Sequence, residues 1–137
     1  MKKSNYNTSS HCIYLCQYHL VWCPKFRYGV LTNDIAKALK QVFNYIATEY
    51  NYQIIEMEIM PDHVHLFVGA SPSVSPNDMI RIFKSISAIK IFQQFDNIKQ
   101  YYSKCGSLWS RGKFISTIGF VSVETIKKYI QDQKDNQ

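Results

Sequence analysis

The clearest hydrophobic pattern in the chain runs from Met60 to Gly69, where aliphatic residues alternate with His63 and His65. Side chains of a strand point alternately to its two faces, so this pattern predicts a strand with one apolar face. Both imidazoles then share the opposite face, with their Cα atoms roughly 6–7 Å apart. Two rings at that spacing can bind one cation, although a pair of half-exposed strand histidines without a function has the same pattern.

Three other stretches have strand patterns. The first, from His11 to Trp22, is apolar or aromatic on both faces, as in a central strand, and contains His19, to which we assign no chemical role. The second, over residues 53–60, alternates apolar residues with glutamates from Ile55 onward, which predicts that Ile55 faces the core. The last covers residues 108–118 and is expected to be irregular around residues 110–112.

The link between the second strand and the histidine strand consists of Pro61 and Asp62. So short a link predicts a hairpin. Asp62 is interpreted as a turn residue, and a part in a metal site is the alternative. The segment over residues 96–106 is polar, and its pattern predicts neither a helix nor a strand.

Helical spacing of apolar residues begins after three N-cap residues. Thr32 precedes a stripe that Asn51 ends, and Ser75 is followed by a proline and then by an acidic residue in the first turn. Ser122 begins a last helix, on which Tyr129 and Gln133 are four residues apart and therefore on one face.

The order of elements is strand, helix, strand, strand, helix, strand and a terminal helix. This order predicts an α+β fold: a ferredoxin-like (RRM-like) antiparallel sheet with two helices on one face. A length of 137 residues suits one domain. We expect residues 1–10 to be a polar arm and residues 120–137 to form the C-terminal helix with the tyrosine.

Charge and aromatic content favour a nucleic-acid partner. The net charge is +6, and 15% of the residues are aromatic. Cations contact phosphates and aromatic rings stack on bases, so this mixture suits single strands. The loop over residues 24–29 is either a solvated turn or such a contact. We predict that the residues that bind nucleic acid include Lys25, Arg27, Lys127 and Lys128.

The sequence also bears on the compartment. No apolar run approaches membrane-spanning length, and the basic N-terminus is not followed by the apolar stretch of a signal peptide. The four cysteines lack zinc-finger spacing. We therefore expect a cytoplasmic protein with reduced thiols and no membrane contact.

Tyr129 and Gln133 suggest a reaction. A tyrosine hydroxyl can attack a phosphodiester when a cation polarises the phosphate. His63, His65 and Gln133 offer nitrogen and oxygen ligands for Mg²⁺ or Mn²⁺, with positions left for phosphate.

The chain resembles the single-tyrosine HUH transposases of the smallest bacterial insertion sequences, within the REP-associated tyrosine transposase-like superfamily. The matching segments are Tyr18–Lys25, Met60–Leu66, Leu108–Ser110, Phe114–Gly119 and Glu124–Ile130. The segment Ser110–Lys113 differs in composition from the expected pattern.

The resemblance implies roles for the candidate residues. His63 and His65 match the metal-binding histidine pair, Tyr129 the nucleophile, and Gln133 a further metal ligand. The implied enzyme is a metal-dependent homodimer whose tyrosine helix can complete the partner's site, and it needs no nucleotide. It nicks and reseals single-stranded DNA that carries hairpins near the element ends, through a 5′-phosphotyrosine. Two alternatives are a domesticated hairpin-specific endonuclease and a non-catalytic single-strand-binding module.

Overall fold

A computed structural model describes residues 7–9, 12–118 and 131. The predicted C-terminal helix, with Lys127, Lys128, Tyr129 and Gln133, lies outside these residues apart from position 131. The strands are β1 (Asn7–Ser9), β2 (Cys12–Tyr14), β3 (Gln17–Trp22), β4 (Gln53–Met60), β5 (His63–Gly69) and β6 (Phe114–Ile118). The helices are α1 (Asn33–Tyr50), α2 (Pro76–Gln94) and α3 (Asp96–Tyr101).

The antiparallel sheet has the strand order β4-β5-β3-β6. The histidine strand β5 is therefore an interior strand, with β4 on one side and β3 on the other. The predicted hairpin of β4 and β5 is confirmed, with Met60 opposite His63 at its turn. β1 and β2 form a separate two-stranded sheet, so residues 7–9 of the expected polar arm are part of a strand.

Helices α1 and α2 cover one face of the sheet, as predicted for the α+β fold, and the core lies between the two layers. Alternate residues of β3 and β5 point into it because the period of a strand is two. The largest ring at its centre is Trp22, which contacts Phe43 of α1, Phe83 of α2 and Trp109 at ring-centroid distances of 5.6, 6.4 and 5.8 Å. The helices and the sheet thus meet on one aromatic cluster.

The register of β4 corrects one prediction. Ile54 pairs with Val68 and packs against the core, whereas Ile55 is 39% exposed. The pairing shifts between Ile54 and Glu56, so Ile55 is the extra residue of a β-bulge. A bulge breaks the alternation of faces locally, which is why the simple pattern assigned Ile55 to the wrong face.

Three other element boundaries differ from the sequence prediction. The first predicted strand is divided at residues 15 and 16, because its two parts pair in different sheets. The last predicted strand contains only β6, since Trp109 forms an isolated bridge with Pro24 and its indole packs against α2. The segment without a prediction contains α3, which is anchored by the buried side chain of Ile98.

The helix caps follow the predicted residues. The Ser75 hydroxyl accepts a hydrogen bond from the Asp78 amide at 3.1 Å, which satisfies one free amide of the first turn of α2. Asn51 adopts a left-handed conformation at the end of α1 and donates its amide to the Ala47 carbonyl. Thr32 precedes α1 without a side-chain cap bond.

We expect Ser87→Ala to destabilise the protein by about 1–3 kcal/mol, because it leaves a buried indole N–H without its acceptor. Ser87 is fully buried on α2, and Trp109 Nε1 donates to its hydroxyl at 2.9 Å. Urea unfolding of both proteins measures the difference. Ser85→Ala, an exposed hydroxyl on the same helix, is the matched control and should change stability by less than about 0.5 kcal/mol. Equal effects of the two variants would contradict the assigned role of this bond.

Candidate active site

The strand register brings three histidines to the sheet face that points away from α1 and α2. His63 and His65 alternate on β5 with the buried Val64 and Leu66. Directly opposed residues of neighbouring strands share a face, and His19 of β3 is opposite Phe67 of β5. His19, His63 and His65 therefore lie on one surface.

Asp62 holds the ring of His63. Its side chain accepts a hydrogen bond from His63 Nδ1 at 3.0 Å and one from Arg27 Nε at 3.1 Å, through different carboxylate oxygens. Asp62 lies in the turn between β4 and β5, which is why its carboxylate faces the first residue of β5. The predicted turn position of Asp62 is confirmed, and a part in a metal site stays a prediction.

These bonds also change the acidity of Asp62. The hydrogen bond from His63, followed by the charge and hydrogen bond of Arg27, holds the pKa of the Asp62 carboxyl below its ordinary value of 3.8, although desolvation acts in the opposite direction. The carboxylate is thus the form that the folded protein favours. Its contribution to stability is present above the unfolded-state pKa and is lost as the pH falls through the lowered pKa.

His19 contacts the second histidine of the pair. Its Nδ1 lies 2.7 Å from His65 Nε2, which is a hydrogen-bond distance. Its ring stacks on Phe67 with centroids 4.9 Å apart and planes inclined by 26°. From the sequence pattern alone, we assigned His19 no chemical role. One signal could have indicated a role for His19: it lies in a predicted central strand. In the structure it is two residues from Val21, which is opposite His65.

The loop after β3 extends from the site as a basic and aromatic surface. Lys25–Arg27 form a 3-10 turn, in which Phe26 and Arg27 have positive φ angles of 61° and 53°. Such a backbone is costly for a bulky residue, and here it holds the Phe26 ring 60% exposed. Lys25 Nζ lies 5.5 Å from the centre of that ring. Of the predicted DNA contacts, Lys25 and Arg27 are thus in the described part of the chain, and both lie on this loop.

Aromatic contacts and a hydrogen bond link this loop to Tyr102. Tyr28 contacts the ring of Phe26 at 5.4 Å and the ring of Tyr102 at 6.0 Å. The Tyr102 hydroxyl donates to the Lys25 carbonyl at 3.1 Å, and burial raises its pKa to about 12. Tyr102 therefore remains a hydrogen-bond donor across the physiological pH range.

A second cationic surface lies beside α2, on the helical layer. A cleft of about 390 Å³ separates α2 from residues 106–113, and Arg81, Lys84, Arg111 and Lys113 line it. Burial, and then the charge of Lys113, lowers the pKa of the Lys84 ammonium, which donates to the Ser110 carbonyl at 2.7 Å. Two cations of this cleft belong to Ser110–Lys113, the segment whose composition differs from the expected pattern.

The described residues do not complete a metal site by themselves. Among them, no group of three or more His, Cys, Asp and Glu side chains is arranged to hold a metal ion. His63 and His65 supply two nitrogens, and the predicted third ligand, Gln133, lies outside the described residues.

In the described part of the chain, no helix is long and apolar enough to cross a bilayer.

Comparison with known proteins identifies the family. The model of the IS200-like transposases matches residues 12–133. The chain belongs to the IS200-like transposase family. It is 35% identical over 125 residues to the ISDra2 transposase TnpA of Deinococcus radiodurans, an alignment that covers 91% of this chain and 89% of that protein. It is 27% identical over 124 residues to the transposase of insertion sequence element IS200 from Salmonella typhimurium, covering 90% and 80% of the two chains.

Solved structures place this IS200-like transposase in the same fold. A crystal structure of a candidate transposase from D. radiodurans superposes with a TM-score of 0.76 at 32% identity, covering 93% of this chain and 97% of that one. A REP-associated tyrosine transposase bound to a REP hairpin superposes with a TM-score of 0.55 at 12% identity, covering 92% and 68%. At that identity, the second match supports the fold alone.

We expect His63→Ala and Arg27→Ala each to raise the pKa of Asp62 toward its ordinary value, because the His63 hydrogen bond is the largest single cause of the lowered pKa and Arg27 adds a charge and a further hydrogen bond. An NMR titration of the Asp62 carboxyl carbon in each variant measures the shift. Arg81→Ala removes a cation that lies 3.7 Å from Asp78 and serves as the control that should leave Asp62 unchanged. An Asp62 that titrates at its ordinary pKa in the unaltered protein would refute the assigned contacts.

Proposed function

We propose that this IS200-like transposase nicks and rejoins single-stranded DNA at the ends of an insertion sequence through a 5′-phosphotyrosine on Tyr129. The observation that carries the proposal is the pair His63 and His65 on one sheet face, with the His63 ring held by Asp62 at 3.0 Å. A histidine whose Nδ1–H is bound to a carboxylate keeps Nε2 free as a lone-pair ligand, an arrangement common in metal sites. Membership of a transposase family supports the reaction class.

The proposed cleavage is a transesterification. The Tyr129 oxygen attacks the scissile phosphorus and loses its proton, while the bond from phosphorus to the 3′ oxygen breaks and that oxygen gains a proton. The 5′ end remains joined to the tyrosine. Attack by another 3′-hydroxyl reverses these steps and releases Tyr129. One phosphodiester is exchanged for another in each step, so no nucleotide is required.

The residues that would hold a metal are His63, His65 and Gln133. Two nitrogens and an amide oxygen suit Mg²⁺ or Mn²⁺ and leave positions for phosphate oxygens. When bound, such an ion polarises the phosphate and stabilises the charge that develops on it. His63 and His65 would bind this ion, and the Asp62–Arg27 pair keeps the His63 ring in place.

The proposed substrate is single-stranded DNA with hairpins, and two surfaces suit it. The loop with Lys25 and Phe26 adjoins the metal-binding face, so it is suited to bases next to the cleaved phosphate. The cleft with Arg111 and Lys113 is suited to a second segment of backbone. A REP-associated tyrosine transposase of the same fold is bound to a REP hairpin, so the fold is compatible with this class of substrate.

We further propose that the active protein is a cytoplasmic homodimer in which the Tyr129 helix of one chain completes the His pair of the other. Gly119 precedes that helix, and glycine permits a hinge at little steric cost. Exchange of a terminal element between identical chains is a low-cost way to form a dimer. A domesticated endonuclease that cleaves hairpin DNA without moving an element would use the same residues.

One observation favours a non-catalytic strand-binding module as the second candidate. Phe67 and Phe114 lie on the same sheet face as the histidines, and Phe114 is 59% exposed. Aromatic residues on such a face stack on unpaired bases in RNA-recognition modules. That candidate has no need of Tyr129, so the formation of a covalent adduct separates the two functions.

Tyr129→Phe should abolish the covalent protein–DNA adduct and leave DNA affinity within about twofold, because it removes only the nucleophilic oxygen. The assay uses labelled single-stranded oligonucleotides from the DNA that flanks the gene, with Mn²⁺ and with EDTA, on a denaturing gel. Tyr101→Phe, at an exposed tyrosine beside the Phe26 loop, is the matched control and should form the adduct normally. A normal yield of adduct from Tyr129→Phe would disprove the assignment.

The same assay tests the shared site. His63→Ala and Tyr129→Phe are each expected to be inactive alone. If the sites are shared, mixing the two proteins should restore the adduct, because in some mixed dimers an intact histidine pair from one chain meets an intact tyrosine from the other. A mixture that stays inactive, with subunit exchange confirmed by a tag pull-down, would show that the helix acts within its own chain.

Phe26→Ala should weaken binding of the same oligonucleotide by roughly 1–3 kcal/mol, the usual contribution of one base stacked on an aromatic ring. Fluorescence anisotropy measures the affinity. Tyr45→Ala is the matched control, because Tyr45 is also exposed and also lies beneath a lysine, with Lys90 Nζ at 4.9 Å, but on the helical layer. Equal losses in the two variants would argue against a stacking site at Phe26.

A further inference from the structure

Each histidine of the candidate metal pair has one ring nitrogen in a hydrogen bond. His63 uses Nδ1, which is bound to Asp62, and His65 uses Nε2, which lies 2.7 Å from His19 Nδ1. Within the described residues, neither His63 Nε2 nor His65 Nδ1 has a hydrogen-bond partner. The two rings are thus supported in the same way by two unrelated elements, the β4–β5 turn and strand β3.

We propose that His19 is a positioning residue for His65: it accepts a hydrogen bond from His65 Nε2–H and so keeps the Nδ1 lone pair of His65 available to a divalent metal. This inference rests on the proposed metal-dependent function. In a neutral imidazole, one nitrogen carries the proton and the other carries the lone pair. The partner of one nitrogen therefore decides whether the other can bind a metal.

The fold restrains the position of His19. It lies opposite Phe67 on one neighbouring strand and opposite Ser116 on the other, so its Cα is fixed by pairing on both sides. Its ring stacks on Phe67, with centroids 4.9 Å apart. His65 is the diagonal neighbour, at a distance that long or aromatic side chains can span. The contact between the two histidines is thus a consequence of the register.

A role as a third metal ligand fits the structure less well. Among the described residues, which include His19, no group of three or more His, Cys, Asp and Glu side chains could hold a metal ion. The Nδ1 of His19 is directed at a nitrogen of His65 at hydrogen-bond distance. His19 therefore acts on the metal through His65, as Asp62 acts through His63.

The test uses the metal alone as the probe and three variants of His19. His19→Phe keeps a ring that can stack on Phe67 but has no nitrogen, and His19→Ala removes the ring. His19→Asn keeps an acceptor oxygen near the position of Nδ1. Ser116→Ala is the matched control, because Ser116 faces His19 across the strand pair. Isothermal titration of the full-length protein with Mn²⁺, without DNA, measures the affinity, and thermal melts of the metal-free proteins check folding.

We expect His19→Phe and His19→Ala to weaken Mn²⁺ binding by roughly 10- to 100-fold, the usual effect of losing the partner of a ligating histidine. His19→Asn and Ser116→Ala should stay within a few fold of the unaltered protein. A normally folded His19→Phe protein that binds Mn²⁺ as well as the unaltered protein, or more tightly, would overturn the proposal. Tighter binding would mean that His19 competes with the metal for His65 Nε2.

A second readout does not depend on the metal. Long-range ¹H–¹⁵N NMR of the metal-free protein at about pH 8, above the ordinary histidine pKa of about 6.5, identifies the protonated nitrogen of each ring. We expect the proton of His65 on Nε2, and a change in that tautomer in His19→Phe. A His65 proton on Nδ1 in the unaltered protein would overturn the inference whatever the metal affinity. Absence of Mn²⁺ binding together with the expected tautomer would instead count against the proposed function.

Discussion

The pairing of β5 on both sides is the constraint on which the rest of the structure depends. Hydrogen bonds to β4 and β3 fix its register, and the period of two then sends Val64 and Leu66 into the core and His63 and His65 to the opposite face. A slip of one residue would bury the imidazoles and expose the aliphatic side chains. The burial of the core side chains therefore stabilises the same register that keeps the two rings on one surface.

The two histidines are oriented by parts of the chain that are distant in sequence. Asp62 holds His63 from the turn and links it through Arg27 to the basic loop after β3, whereas His19 contacts His65 from within β3 itself. Rings held by fixed partners lose less entropy when they bind a ligand, which is the benefit of a preorganised site. The loop joins this network at Arg27, so a hydrogen bond connects the aromatic surface around Phe26 to the sheet face with the histidines.

The family relationship and the site support each other at different levels. Residues 12–133 match the IS200-like transposases, and the chain shares its fold with a D. radiodurans structure at 32% identity. These similarities concern the backbone and the class of protein. The chemistry depends on individual side chains. The described residues contain the histidine pair, its partners Asp62 and His19, and the two cationic surfaces. Catalytic and non-catalytic proteins can share one fold, so the side chains of the site, and not the fold, decide which function a protein has.

The sequence by itself determined the α+β fold class, the order of the main elements, the β4–β5 hairpin and the alternation that gives His63 and His65 a common face. These are local properties, because periodicity, caps and short turns are encoded by residues near each other in the chain. The tertiary structure decided what depends on neighbouring strands and on packing. The bulge at Ile55 appeared only in the register with β5, and the last strand became shorter because Trp109 packs on α2. His19 became a partner of His65 only because two strands 46 residues apart lie side by side, a proximity that no pattern along the chain contains.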